Sequence, residues 1–105
     1  MGENIADLSG LQIAYKAWKI SLGGKPAPVI DGYTGEQRFY LGFSQVWRGK
    51  VRDERALQLV VTDPHSPAQF RADGASINSD GFHEAFATKP GDKLWKAPAD
   101  RIRLW

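Results

Sequence analysis

Leu11, Ala14, Tyr15, Trp18 and Leu22 recur at three- and four-residue intervals, and this spacing limits the fold more than anything else in the chain. It predicts a long amphipathic helix from about Glu3 to Ile20 with one apolar face to bury. Ser9-Gly10 is the weak point inside it, because glycine costs a helix about 1 kcal/mol relative to alanine and makes a bend cheap. A chain of 105 residues has room for about one domain and a thin core built against such a helix. A radius of gyration near ~13 Å is expected for that size.

The rest of the sequence is punctuated by glycine and proline into shorter helical segments. Gly23-Gly24-Lys25-Pro26-Ala27-Pro28 is the clearest connector. Thr34 and Gln37 have capping-box spacing, so a second helix starts there, carries Phe39, Phe43, Val46 and Trp47 as a stripe, and ends near Gly49. A third starts around Asp53, groups Ala56, Leu57, Val60 and Val61, and stops before Pro64. Ser66-Pro67-Ala68-Gln69 reads as a serine cap with proline at the first helical position, but Asp73-Gly74 makes that helix short. Ser79 caps a last short helix through Phe82, Ala85 and Phe86, and Lys89-Pro90-Gly91-Asp92 is a turn. The tail from Lys93 to Trp105 is apolar enough, with Leu94, Trp95, Ile102, Leu104 and Trp105, to be docked. The expectation is a mainly α fold with long ordered loops at residues 23–33 and 73–78, loops of a kind that carry function or contacts.

Composition removes several classes of function. The hydrophobic content of 42% and charged content of 25% are ordinary for a folded domain. The formal charge of +2 comes from interspersed residues without a basic run, so there is no footprint for nucleic acid. No apolar stretch is long enough to span a membrane. The Met-Gly-Glu-Asn start lacks the basic and apolar regions of a signal peptide. The absence of cysteine excludes disulfides, thiol catalysis and thiolate metal sites.

Few residues can carry chemistry. Glu3 and Asp7 lie one helical turn apart on one face, a like-charge pair that costs a helix ~0.2–0.5 kcal/mol. Either the helix dipole accounts for them or a cation lies beside them. His65 stands between two prolines in Asp63-Pro64-His65-Ser66-Pro67, so its direction is fixed, whether in a surface turn or in a site. Arg71, six residues later, reads as an ion-pair partner or a ligand contact. His83-Glu84 begins like the zinc motif H-E-x-x-H, but Ala87 stands where the second histidine belongs, so the pair reads as an exposed helix face. Phosphate-binding glycine motifs and a nucleophile elbow are absent. The tryptophans at 18, 47, 95 and 105 read as core rather than as a stacking platform.

Taken in order, Gly2-Glu3-Asn4-Ile5-Ala6-Asp7, Asp63-Pro64-His65-Ser66-Pro67-Ala68-Gln69-Phe70-Arg71, Phe82 to Phe86, Lys89-Pro90-Gly91-Asp92 and Arg101-Ile102-Arg103-Leu104-Trp105 resemble the C-terminal part of the catalytic domain of neprilysin-like zinc metallopeptidases, the family of endothelin-converting enzyme. The resemblance spans essentially the whole chain. It implies the helical portion of a thermolysin-like (zincin) domain and hydrolysis of peptide bonds in oligopeptides. Carried over by position, it makes Glu3 the third zinc ligand and Asp7 the carboxylate that orients a zinc-binding histidine. It makes His65 the stabiliser of the oxyanion and Arg71 the donor to the substrate backbone. In such enzymes zinc polarises the scissile carbonyl and a glutamate of the H-E-x-x-H helix takes the proton.

The departures shape the remaining expectations. The H-E-x-x-H helix, with two zinc ligands and the base, belongs upstream of residues 1–105, as does an Asn-Ala-aromatic strand that binds substrate. Ser9 replaces a common Gly or Asn, the cysteine near the C-terminus of animal members is missing, and Leu104 replaces a common Val; the last two favour a bacterial type. Met1 reads as an artificial start or as the start of a genomic remnant. With one zinc ligand and no base, the chain alone is expected to lack zinc and activity. As a piece of a larger domain it is also expected to expose former core at Tyr15, Trp18, Phe43 and Trp47 and to self-associate through it. A non-enzymatic helical interaction module that keeps the scaffold is the alternative. The compartment stays open, with bacterial cytoplasm or periplasm expected.

Overall fold

The computed structural model describes residues 2–104; Met1 and Trp105 lie outside them, and with Trp105 the last residue of the tail expected to dock. Five helices follow in order: α1 (Gly2–Ser21), α2 (Gly35–Val46), α3 (Asp53–Thr62), α4 (Ala68–Ser76) and α5 (Asp80–Phe86), with a 3-10 turn at Pro98–Asp100. Among the described residues the only extended pairing is an isolated bridge between Ile30 and Tyr33. The mainly α expectation holds.

The long first helix organises the rest. It runs unbroken through Ser9-Gly10: the Ser9 hydroxyl donates to the Ile5 carbonyl at 2.8 Å, and Leu8 and Leu11 on either side are buried. α1 packs chiefly on α4, and α2 packs on α5 and α4. The core is Leu11, Tyr40 and Ala75, ringed by Tyr15, Phe39, Phe43, Phe82, Ala85 and Phe86. Aromatic rings fill it edge to face: Tyr40 meets Phe39 at 5.2 Å and Phe82 at 5.7 Å between centroids. Burial pushes the Tyr40 phenol up in pKa, and its oxygen pairs with the Ser79 hydroxyl at 2.6 Å. Gly81 lets these rings close in, because a Cβ there would lie 2.7 Å from both Tyr15 and the Tyr40 oxygen.

The helix boundaries separate local from tertiary causes. Thr34 caps α2 as expected: its Oγ1 accepts the Gln37 N–H at 3.1 Å and its N–H donates to Gln37 Oε1 at 3.0 Å. α2 ends at Val46, short of Gly49. At α4 the expectation fails. Pro67 holds the cap position and the Ser66 hydroxyl accepts instead from Asn4 of α1 at 3.0 Å. α4 then continues through Asp73-Gly74 to Ser76, because Ala72 and Ala75 are buried in the α4 interface, so there is no loop from residue 73. Ser79 precedes α5 but makes no side-chain cap, since its hydroxyl serves Tyr40.

Two further expectations are corrected. His83 is buried (6% exposed), not on an exposed face: its Nε2 donates to the Ile77 carbonyl at 2.8 Å and its Nδ1 accepts from the Thr88 hydroxyl. Only Glu84 of that pair faces solvent. Nor are Tyr15, Trp18, Phe43 and Trp47 the exposed surface; all four are half-buried, with Trp18 stacked on Phe39 and Phe43 edge-on to Trp47. The exposed apolar residues lie elsewhere, above all on α3, where Leu57, Val60 and Val61 face outward, Val61 by 85%. The tail is docked, but by polar bonds. Asn78 Oδ1 accepts from Lys96 Nζ at 2.7 Å and from the Ile102 N–H at 2.9 Å, and Asp80 binds Arg101 and Arg103. Ile102 and Leu104 stay exposed.

Candidate active site

The first turns of α1 and the segment that leads from α3 into α4 meet at one edge of the molecule. Glu3 and Asp7 come from α1, His65 from the turn before α4, and Arg71 from the first turns of α4, more than 55 residues away in sequence. The Asn4–Ser66 hydrogen bond fastens the two segments together.

Arg71 is the centre of this cluster. Its Nε–H donates to Asp7 Oδ2 at 2.6 Å and its Nη2–H to Asp7 Oδ1 at 2.8 Å, a bidentate pair in which the side chains are 14% and 13% exposed. Arg71 Nη2 is 3.8 Å from Glu3 Oε2. The guanidinium lies over the Trp47 ring, 4.2 Å from its centroid. So the ion-pair reading of Arg71 is correct, and its partner is Asp7. Asp7 can still accept on its remaining lone pairs. It lines a cleft of about 460 Å³ between α1 and α2, walled by Gly10, Phe43 and Val46 among others.

His65 is aimed by a residue that sequence reasoning left without a role. Asp63 Oδ1 accepts both the His65 backbone N–H at 2.9 Å and the ring Nδ1–H at 2.7 Å. These two bonds hold the Asp63 carboxyl below the usual carboxylate range. The signal was present: an acid two residues before a histidine, with proline between, is an Asx-turn spacing. With Nδ1 committed, Nε2 is the free end of the ring, and it points toward Glu3 Oε1 at 3.7 Å.

Glu3 is half-exposed, and among the described residues it accepts no hydrogen bond; the basic side chains beside it are His65 and Arg71. A carboxylate with free lone pairs at such an edge fits one oxygen ligand of a zinc ion. No group of three or more His, Cys, Asp and Glu among the described residues is arranged to hold a metal.

This helical frame is that of a zincin-type metallopeptidase domain. The zinc metalloprotease Zmp1 of Mycobacterium tuberculosis superposes on 99% of the chain with a TM-score of 0.94 and 49% identity, both in its open state and in complex with an inhibitor. The chain belongs to peptidase family M13, whose model matches residues 1–102. Endothelin-converting enzyme 1 of Homo sapiens is 39% identical over 108 residues, and Neprilysin-3 of Drosophila melanogaster 36% over 109, each covering the whole chain. The higher identity to the mycobacterial protein agrees with the bacterial-type reading. The chain spans only 14% of the length of those curated relatives and 16% of Zmp1.

Proposed function

We propose that this chain is the C-terminal part of the catalytic domain of a zinc metalloendopeptidase that cleaves oligopeptides. The carrying observation is the convergence of Glu3, Asp7, His65 and Arg71 on one edge. Family membership supports the zinc-peptidase chemistry; the residue roles are those the family resemblance implies, and the meeting of the four side chains at one edge supports them.

Glu3 would hold zinc together with two ligands from an upstream segment. When bound, zinc supplies the charge that polarises the scissile carbonyl. Asp7 orients an incoming histidine while it anchors Arg71. Arg71 Nη1, which Asp7 leaves free, donates to a substrate carbonyl. His65 faces the developing negative charge through Nε2, and it donates there only when the imidazole carries both protons, because Asp63 takes Nδ1. Alone, the chain lacks two ligands and the base, so we infer that it is inactive.

The test compares this chain with a longer protein that carries the upstream H-E-x-x-H segment. Zinc is measured by elemental analysis and cleavage by a peptide assay with and without chelator. The expected result is one zinc and chelator-sensitive cleavage for the longer protein, and neither for the chain alone. In the longer protein, Glu3→Ala should lose zinc. His65→Phe should keep zinc and lose about 10²–10³ in kcat, the range for a single oxyanion donor. One tightly held zinc with cleavage by the isolated chain would overturn the reading.

A further inference from the structure

We propose that Trp47 is a positioning residue for Arg71: its ring fixes the plane in which the guanidinium meets substrate. This rests on the substrate-binding role proposed for Arg71. The Asp7 fork alone leaves one soft motion. Two parallel bonds to one carboxylate hold the edge of the guanidinium, but the plane can still rock about the line joining the two acceptor oxygens. The Trp47 ring, 4.2 Å from Arg71 Cζ, blocks that motion on one face and attracts the cation toward it. The free Nη1 edge is then aimed rather than merely available.

Trp47 is itself held firmly. It terminates α2, with its backbone N–H on the Ser44 carbonyl at 3.1 Å, and Phe43 one turn earlier meets its ring at 71° and 6.3 Å. Its indole Nε1 is buried and has no hydrogen-bond partner among the described residues. A side chain needed only to fill space there would be better as phenylalanine, which buries no orphan donor. What indole adds is the larger and more electron-rich face toward a cation.

A double-mutant cycle in the longer zinc-loaded protein tests this, with kcat and KM measured separately. Trp47→Leu should lower kcat/KM about tenfold, mainly through KM, whereas Trp47→Phe, which keeps an aromatic face, should lose less than about threefold. Arg71→Met should lower kcat/KM on its own, and adding Trp47→Leu to it should change little more. In this chain the Arg71 Nε–H proton resonance should be displaced by the ring current of Trp47, move in Trp47→Leu and largely stay in Trp47→Phe. Losses that multiply independently, or an Nε–H resonance indifferent to Trp47→Leu, would overturn the positioning role and leave that of Arg71 standing. An Arg71→Met variant with unchanged kcat/KM would remove the substrate-binding role and the positioning role together. If Trp47→Leu does not accumulate, Trp47→Met and Trp47→Phe supply the same comparisons.

Discussion

At the scale of single residues, Asp63 and His83 show what one hydrogen bond decides. Asp63 selects which ring nitrogen of His65 is free, and its depressed pKa gives the sign of the pH effect. The two bonds to His65 are fully present above the ordinary carboxylate pKa and are lost as pH falls through the lowered value. A carboxyl-carbon NMR titration should therefore place the Asp63 midpoint below that of an exposed aspartate. In the longer protein, Asp63→Asn should lower kcat about tenfold to hundredfold with zinc content unchanged, the scale seen for groups that orient metal-binding imidazoles. His83 is the opposite case. Although it opens a partial zinc motif, both ring nitrogens are engaged inside the fold. His83→Ala should cost about 1–3 kcal/mol in denaturant unfolding by leaving the Ile77 carbonyl unpartnered, and should not alter zinc stoichiometry.

At the scale of elements, helix ends fixed by neighbours in sequence could be read from sequence, and ends fixed by packing could not. Thr34 and Gln37 satisfy each other three residues apart, so the start of α2 was legible. Ser66 and Ser79 carry the same local signal, but Asn4 and Tyr40, far away in sequence, take their hydroxyls. Asp73-Gly74 would break an isolated helix; here α4 runs through it because the buried Ala72 and Ala75 hold both sides. Circular dichroism and thermal melts should rank these cases. Thr34→Ala should cost about 1 kcal/mol, and Gly81→Ala about 1–3 kcal/mol because its methyl would enter the Tyr15–Tyr40 contact. The candidate site was legible only through its motifs taken together. Glu3, Asp7, His65 and Arg71 were each ambiguous alone, and the Asp7–Arg71 and Arg71–Trp47 contacts depend on α1, α2 and α4 meeting.

At the scale of the whole molecule, the extents are 47 × 32 × 29 Å and the radius of gyration of 15.2 Å exceeds the ~13 Å expected for this length. α3 buries no residue. Hydrogen exchange should therefore be fastest in α3 and slowest around Leu11, Tyr40 and Ala75. The tail should answer to pH. Arg101, with Arg103 adding to it, holds the Asp80 carboxyl below its usual range, so the anchor persists at neutral pH and is lost on acidification through that lowered value. Exchange at the Ile102 amide should accelerate over the same interval.

The grip on α1 has a mechanical consequence. The core grips this helix at Leu8 and Leu11, and Glu3 lies about 7.5 Å before Leu8 along the axis at 1.5 Å per residue. The helix is thus a lever that carries the proposed metal ligand on a segment tied across to α4 by the Asn4–Ser66 and Asp7–Arg71 bonds, and a tilt of about 1.5° at Leu8 would swing Glu3 by about 0.2 Å. Metal–ligand distances tolerate about that much and little more. A methyl group gained or lost beside Leu11 or Ala75 could detune a metal site that neither residue touches, so the small core of this chain works as an alignment device as well as a source of stability.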